Sequence, residues 1–170
     1  MLNLQNDKPP PKLCVDFNYI NDKMLIGGLI HSQKGFDQMA ALGITHMVCL
    51  LEEEEHHHDT DYKNPTNVKL LCASTGDDHL LKSMGWHQQI IEFVLGALLQ
   101  PNSRIYMHCA VGMSRSALGW YTVLRALGFK PNRATTLIAR ARPIVTFWPD
   151  YLAGAEEALK ELGYVKPWTT

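Results

Sequence analysis

From Ile44 to Leu51 the chain reads Ile-Thr-His-Met-Val-Cys-Leu-Leu, without the polar/apolar alternation of a half-exposed strand. Such a run fits a strand in a sheet covered on both faces. The rest of the pattern agrees. Leu13 to Phe17 and Met24 to Ile26 read as short strands, the second ended by Gly27-Gly28. Gln33 to Leu42 reads as a helix with Gly43 as its stop. Asn67 to Ala73 is another strand, and Ile105 to His108 a central one. Leu80 to Leu99 is a long helical pattern with Ile90, Ile91, Val94, Leu95 and Leu98 on one side. Ser116 to Leu127 is a helix closed by Gly128, and Asn132 to Ala141 and Pro149 to Leu162 make a helical C-terminal third. Strands alternate with helices, which predicts an α/β fold: a central, mostly parallel sheet flanked by helices.

At 170 residues the chain has the length of one ordinary domain. The expected organisation is an extended or mobile segment over 1–12, which contains Pro9-Pro10-Pro11, followed by a single domain over 13–170. A hydrophobic fraction of 46% with 19% charged residues predicts a soluble globular protein. The formal net charge of -1 gives no support for a nucleic-acid or membrane-surface partner. No apolar stretch reaches the roughly 18 to 20 residues of a spanning helix, and no signal-peptide pattern opens the chain, so no membrane anchor is expected. Cys14, Cys49, Cys72 and Cys109 are widely spaced, with no C-x-x-C pair. The first three are expected to be buried thiols in a reducing, cytoplasmic setting rather than zinc ligands or disulfide partners. The run Glu52 to Asp59 (Glu-Glu-Glu-Glu-His-His-His-Asp) reads as a solvated loop. Its histidines and carboxylates are metal-ligand types, but neighbours in one run rarely converge on an ion.

The chemistry is concentrated in Ile105-Tyr106-Met107-His108-Cys109-Ala110-Val111-Gly112-Met113-Ser114-Arg115-Ser116-Ala117. An apolar strand runs into a cysteine, a short loop follows, and an arginine opens a helix. Free cysteine titrates near ~8.5, so little of it is thiolate at neutral pH. A helix N-terminus and the fixed charge of Arg115 both favour the thiolate. The same features bind a dianion. The amides of Ala110, Val111, Gly112, Met113, Ser114 and Arg115 can form a nest for phosphate oxygens. Gly112 permits the backbone conformation this needs. Arg115 can hold two oxygens through its planar fork. One loop then supplies a nucleophile, an anion cradle and stabilisation of transition-state charge.

The stretch His108-Cys109-Ala110-Val111-Gly112-Met113-Ser114-Arg115-Ser116 resembles the H-C-x-x-G-x-x-R-S signature of the protein tyrosine phosphatase superfamily. Its Gly-x-Ser-Arg-Ser ending is similar to that of the dual-specificity phosphatases. Leu25-Ile26-Gly27-Gly28 and Leu42-Gly43-Ile44-Thr45-His46-Met47-Val48 resemble early elements of the same family. The resemblance implies a cysteine-phosphatase-like fold with the phosphate loop between a central strand and a helix. It implies that His108 bonds within the loop and positions Cys109. It also implies that the Ser116 hydroxyl helps the thiolate leave a phosphocysteine. A hydroxyl at a helix N-terminus also serves a backbone N–H, and the two roles are compatible.

A leaving oxygen needs a proton, hence an acid opposite the nucleophile. The resemblance implies an aspartate about thirty residues before the cysteine, and Asp77 and Asp78 are both candidates. Asp77 matches the family offset better, and either can instead cap a helix. Trp148-Pro149-Asp150 spells the acid-loop tripeptide of larger tyrosine phosphatases but lies after the signature, where it reads as an ordinary helix start. Relatives often carry near here an asparagine that supports the phosphate loop, and this chain lacks it. Arg140 and Arg142 read as exposed helix-end charges, with a secondary anion site as the sharper alternative. No metal or organic cofactor is required. Small or apolar Ala110, Val111 and Met113 favour a phosphorylated protein or peptide, at tyrosine and serine/threonine alike, over a polyanionic lipid. A lipid phosphatase with the same chemistry and a phosphate-binding module without turnover are the rival readings. The default oligomeric state is a monomer.

Overall fold

A computed structural model describes residues 13–58 and 67–165; the expected N-terminal segment over 1–12 lies outside them. The strands are β1 (Phe17–Asn21), β2 (Met24–Gly27), β3 (His46–Cys49), β4 (Lys69–Cys72) and β5 (Ile105–His108). The α-helices are α1 (Gln33–Ala41), α2 (Met84–Leu98), α3 (Arg115–Ala126), α4 (Pro131–Ala141) and α5 (Pro149–Glu161). The sheet order is β1-β2-β5-β3-β4, antiparallel at β1–β2 and parallel elsewhere. This is the mostly parallel, helix-flanked sheet that the sequence predicts.

The unbroken apolar runs have a simple cause. Side chains alternate across a strand. Leu25, Met47 and Tyr106 point into one core, shared with Phe36 and Met39 of α1. Their neighbours Ile26, Val48 and Met107 point into the other, shared with α2, α3, α4 and α5. Neither face meets water, so neither needs polar residues. Helix α3 crosses the middle of the second core and is buried around its whole circumference from Arg115 to Arg125. It lies close on the sheet: a Cβ at Gly119 would collide with Met107 Sδ.

Two boundaries and the burial of two thiols differ from the sequence reading. The first strand is Phe17–Asn21 rather than Leu13 to Phe17. Asn21 Oδ1 accepts the N–H groups of Lys23 and Met24, both at 2.9 Å, and this side-chain turn sets the hairpin register. Helix α2 begins at Met84 rather than Leu80, because Ser83 Oγ accepts Trp86 N–H at 3.2 Å and caps it there. Residues 73–83 are thereby released as a loop. The thiols of Cys14 and Cys72 are exposed, not buried. Cys14 precedes β1, and Cys72 ends β4, an edge strand with one hydrogen-bonded neighbour. Cys49, on the interior strand β3, is buried. No helix among the described residues is long and apolar enough to cross a membrane.

Candidate active site

Strand β5 lies at the centre of the sheet and delivers Cys109 to its C-terminal edge, the usual place for ligands in an open α/β sheet. The loop from Cys109 to Ser114 then turns into α3. Every carbonyl from Ala110 to Met113 is engaged on the outside of that loop. Ala110 O accepts Leu29 N–H at 3.0 Å, and Met113 O accepts Thr146 N–H at 3.1 Å. Arg142 serves the middle two: its Nη2 donates to Val111 O at 2.7 Å and its Nε to Gly112 O at 2.8 Å. In a trans peptide the C=O and the following N–H point in opposite directions. The N–H groups of Val111, Gly112, Met113 and Ser114 are therefore turned inward. The Gly112 N–H lies 3.2 Å from Cys109 Sγ. Gly112 itself has φ +75, and a Cβ there would stand 2.5 Å from the Gly27 carbonyl group.

Arg142 is thus not the exposed helix-end charge expected from sequence. It is 2% exposed and also bonds Asp16 and Asn18 of the N-terminal hairpin. The α4 helix ends at this residue with extended backbone, which turns the side chain inward. Arg142 braces the loop after Cys109 from its outer side. Its hydrogen bond and charge hold the Asp16 carboxyl below the usual carboxylate range. Arg140 is exposed.

Cys109 is 2% exposed, but its sulfur is not sealed in the core. It lines a cavity of about 140 Å³ together with Asp77, His79, Ala110, Val111, Met113, Ser114, Thr146 and Trp148. Ser116 Oγ lies 3.6 Å from Sγ. Behind the loop, His108 stacks on Tyr106 at 5.4 Å between ring centres, and its Nδ1 lies 3.4 Å from Cys109 O. The Tyr106 hydroxyl donates to Gly28 O; burial drives its pKa far upward, so it remains a donor.

Arg115 is anchored by a residue that sequence reasoning passed over. Its Nη1 and Nη2 bond the two oxygens of Glu55 at 2.5 and 3.1 Å, and Nη1 also reaches Leu50 O and Thr75 O. Burial alone would lower the Arg115 pKa; the Glu55 hydrogen bond and the surrounding negative groups outweigh it, and the net shift is upward. Glu55 belongs to the run read as a solvated loop. It sits in the 3₁₀ turn Glu53–His58, which folds back onto the site. The side chains of His56, His57 and His58, and residue Asp59, lie outside the described residues. Glu55 grips the far end of the guanidinium. The Nε atom, on the side edge with Nη2, is buried without a hydrogen-bond partner among the described residues. A guanidinium presents Nε and Nη2 as a planar fork, and this edge remains for an anion.

The two candidate acids separate cleanly. Asp77 lines the cavity; its Oδ1 accepts the Ser114 hydroxyl at 2.6 Å and its Oδ2 lies 3.9 Å from Arg115 Nε. Its own N–H is held by Glu52 Oε1 at 3.1 Å. Asp78 instead pairs with Lys82 and accepts Leu80 N–H at 3.0 Å. The Lys82 bond lowers the Asp78 pKa.

Two further residues complete the cavity wall. His79 stacks on Trp148 with centroids 3.9 Å apart. It holds a left-handed backbone at φ 61, tied by its N–H to the Tyr151 hydroxyl at 3.3 Å. The Trp-Pro-Asp tripeptide therefore does reach the site, through its tryptophan, while Asp150 sits exposed in the first turn of α5. No signal in the sequence marks His79, whose place depends on a backbone conformation that composition does not reveal.

No family model matches the chain. In sequence it is 27% identical over 94 residues to human dual specificity protein phosphatase 4, an alignment covering 55% of this chain and 22% of that protein. The chain thus spans less than a quarter of this curated relative. In structure it is similar to PTPMT1 in complex with PI(5)P, at TM-score 0.74 and 21% identity over 86% of this chain and 96% of that one. It is also similar to the human tyrosine phosphatase-like serine/threonine/tyrosine-interacting protein, at TM-score 0.76 and 18% identity over 89% and 99%. The fold is that of the cysteine phosphatases.

Proposed function

From a chain that is similar in sequence to the dual-specificity phosphatases of the protein tyrosine phosphatase superfamily, and that has the cysteine-phosphatase fold, we propose a phosphomonoester hydrolase working through a phosphocysteine on Cys109. The observation that carries this reading is the cup of inward N–H groups with Cys109 Sγ at its floor, together with Arg115 Nε, buried and without a hydrogen-bond partner among the described residues. The thiolate attacks phosphorus in line, forming the S–P bond as the P–O bond to the leaving group breaks. The loop amides and the Nε–Nη2 edge of Arg115 hold the equatorial oxygens. Asp77 gives its proton to the leaving oxygen. Water then attacks the phosphocysteine and passes a proton to Asp77, while the Ser116 hydroxyl donates to the departing sulfur. His108 supports the loop from behind. No metal or organic cofactor enters either step.

Glu55 orients the guanidinium for this chemistry. Glu55→Gln keeps the shape and removes the charge from a charge-assisted pair, so kcat/KM on an aryl phosphate should fall roughly five- to tenfold. An unchanged kcat/KM would show that Glu55 does not orient Arg115.

The cavity wall supports one substrate class over another. Among the described residues lining the cavity, none is a lysine or arginine, and two are the stacked rings of His79 and Trp148. A polyanionic head group finds no countercharge there beyond Arg115. A single phosphate on a neutral carrier fits better, which supports a dual-specificity protein phosphatase acting on phosphotyrosine and phosphoserine/threonine. A lipid substrate is the second reading, favoured by the structural likeness to a protein crystallised with PI(5)P. Rates on phosphopeptides and on phosphoinositide vesicles decide between them; faster turnover of the vesicles would overturn the protein-substrate reading. Trp148→Ala should raise KM for aryl phosphates about three- to tenfold, the worth of one aromatic contact, with less effect on alkyl phosphates. Equal effects on both would remove the rings from substrate recognition.

A further inference from the structure

A serine just before a helix ordinarily turns its oxygen back to accept an N–H of the first turn. Ser32 does so for α1, accepting Gly35 N–H at 3.1 Å, and Ser83 does so for α2. Ser114 occupies the same place before α3 and makes no capping bond. It is 5% exposed, and its hydroxyl donates instead to Asp77 Oδ1 at 2.6 Å, across 37 residues of sequence. The phosphate loop and the loop bearing the acid meet directly at this bond. Two things result. The first-turn N–H groups of α3 are not occupied by the Ser114 side chain and remain available to an anion. The carboxyl of Asp77 is also fixed about its last torsion.

We propose that Ser114 is a positioning residue that latches Asp77 so that its transferable proton faces the cup. A neutral carboxyl accepts hydrogen bonds at its carbonyl oxygen and carries its proton on the other. With Oδ1 taken by Ser114, and the Tyr151 hydroxyl 3.5 Å away on the same oxygen, the proton is left on Oδ2. Oδ2 is the oxygen on the Arg115 side, 3.9 Å from Nε. The acid loop has other anchors: Lys82 on Gly76 O, Glu52 on the Asp77 N–H, and Tyr151 on the His79 N–H. Loss of the Ser114 hydroxyl therefore frees the carboxyl to rotate without releasing the loop. The effect belongs in the proton-transfer step and not in phosphate binding.

The inference rests on the phosphatase reading with Asp77 as the acid, and the test separates the two. Phenyl phosphate needs a protonated leaving group; 2,4-dinitrophenyl phosphate leaves as the anion. In Ser114→Ala, kcat/KM on phenyl phosphate should fall roughly ten- to a hundredfold, a large part of what a general acid supplies, while the dinitrophenyl ester stays within about twofold. Tungstate affinity should be unchanged, and Ser114→Thr should restore most of the phenyl phosphate rate. Equal losses on both esters, a parallel loss of tungstate affinity, failure of threonine to rescue, or no loss at all would overturn the latch. If the unaltered chain turns over neither ester, the phosphatase reading fails and the latch falls with it.

Discussion

Cys109→Ser should lose at least about four orders of magnitude in turnover of phenyl phosphate, the scale seen when an essential nucleophile is removed. It should still bind tungstate as tightly as the unaltered protein. The two halves of the result have different origins. Binding depends on the inward amides of Val111 to Ser114 and on the Nε–Nη2 edge of Arg115. Those amides are aimed by carbonyl bonds to Arg142, Leu29 and Thr146 on the opposite side of the loop. None of these carbonyl bonds involves the sulfur. Turnover depends on an anion at position 109. A serine hydroxyl would need a base to ionise it, and the hydrogen-bond partners of Sγ among the described residues are the Gly112 N–H at 3.2 Å and the Ser116 hydroxyl at 3.6 Å. Both stabilise an anion already formed and neither removes a proton. Calorimetric titration with tungstate reads the first half, and release of phosphate reads the second. Turnover near that of the unaltered chain would eliminate the phosphocysteine mechanism; loss of tungstate binding would mean that the cup is not preformed.

How much of this site could be read from sequence follows from how local its parts are. Cysteine, loop and arginine are contiguous, and a strand–loop–helix turn brings them together whatever surrounds it. The parallel sheet was legible for a similar reason, since the runs around Ile26, Val48 and Met107 must be covered on both faces. The supports of the loop come from far away. Arg142 and Glu55 act across 30 and 60 residues, and both were read by composition: one as a helix-end charge, one as part of a solvated run. Composition averages over a segment, whereas the structure selects a single member of it. Arg140 and Arg142 show this directly. They lie two residues apart, yet only the residue at which α4 ends turns into the interior. Cys72 failed in the opposite sense: its run is apolar, but β4 is an edge strand and leaves the thiol exposed.

Between the two candidate acids, Asp77→Asn should lower kcat on phenyl phosphate by roughly a hundred- to a thousandfold, whereas Asp78→Asn should cost no more than a few-fold. Sequence spacing could not separate these neighbours, but their partners do. An acid must hold a proton at working pH and must face the substrate. Asp78 meets neither requirement. Its bond to Lys82, with a smaller contribution from the Leu80 N–H, lowers its pKa, so it stays ionised to lower pH than an ordinary carboxyl and holds no proton to give. Its side chain is 48% exposed, a setting in which a lone ion pair adds little to stability, so its loss should leave the loop in place. Asp77 lines the cavity beside Cys109. Asparagine at position 77 keeps an oxygen for the Ser114 hydroxyl, so the loop contact survives while the transferable proton is gone. The loss should therefore shrink toward unity on 2,4-dinitrophenyl phosphate, whose leaving group needs no proton. An Asp78→Asn loss equal to that of Asp77→Asn, or a deficit in Asp77→Asn that ignores the leaving group, would show that Asp77 is not the proton donor.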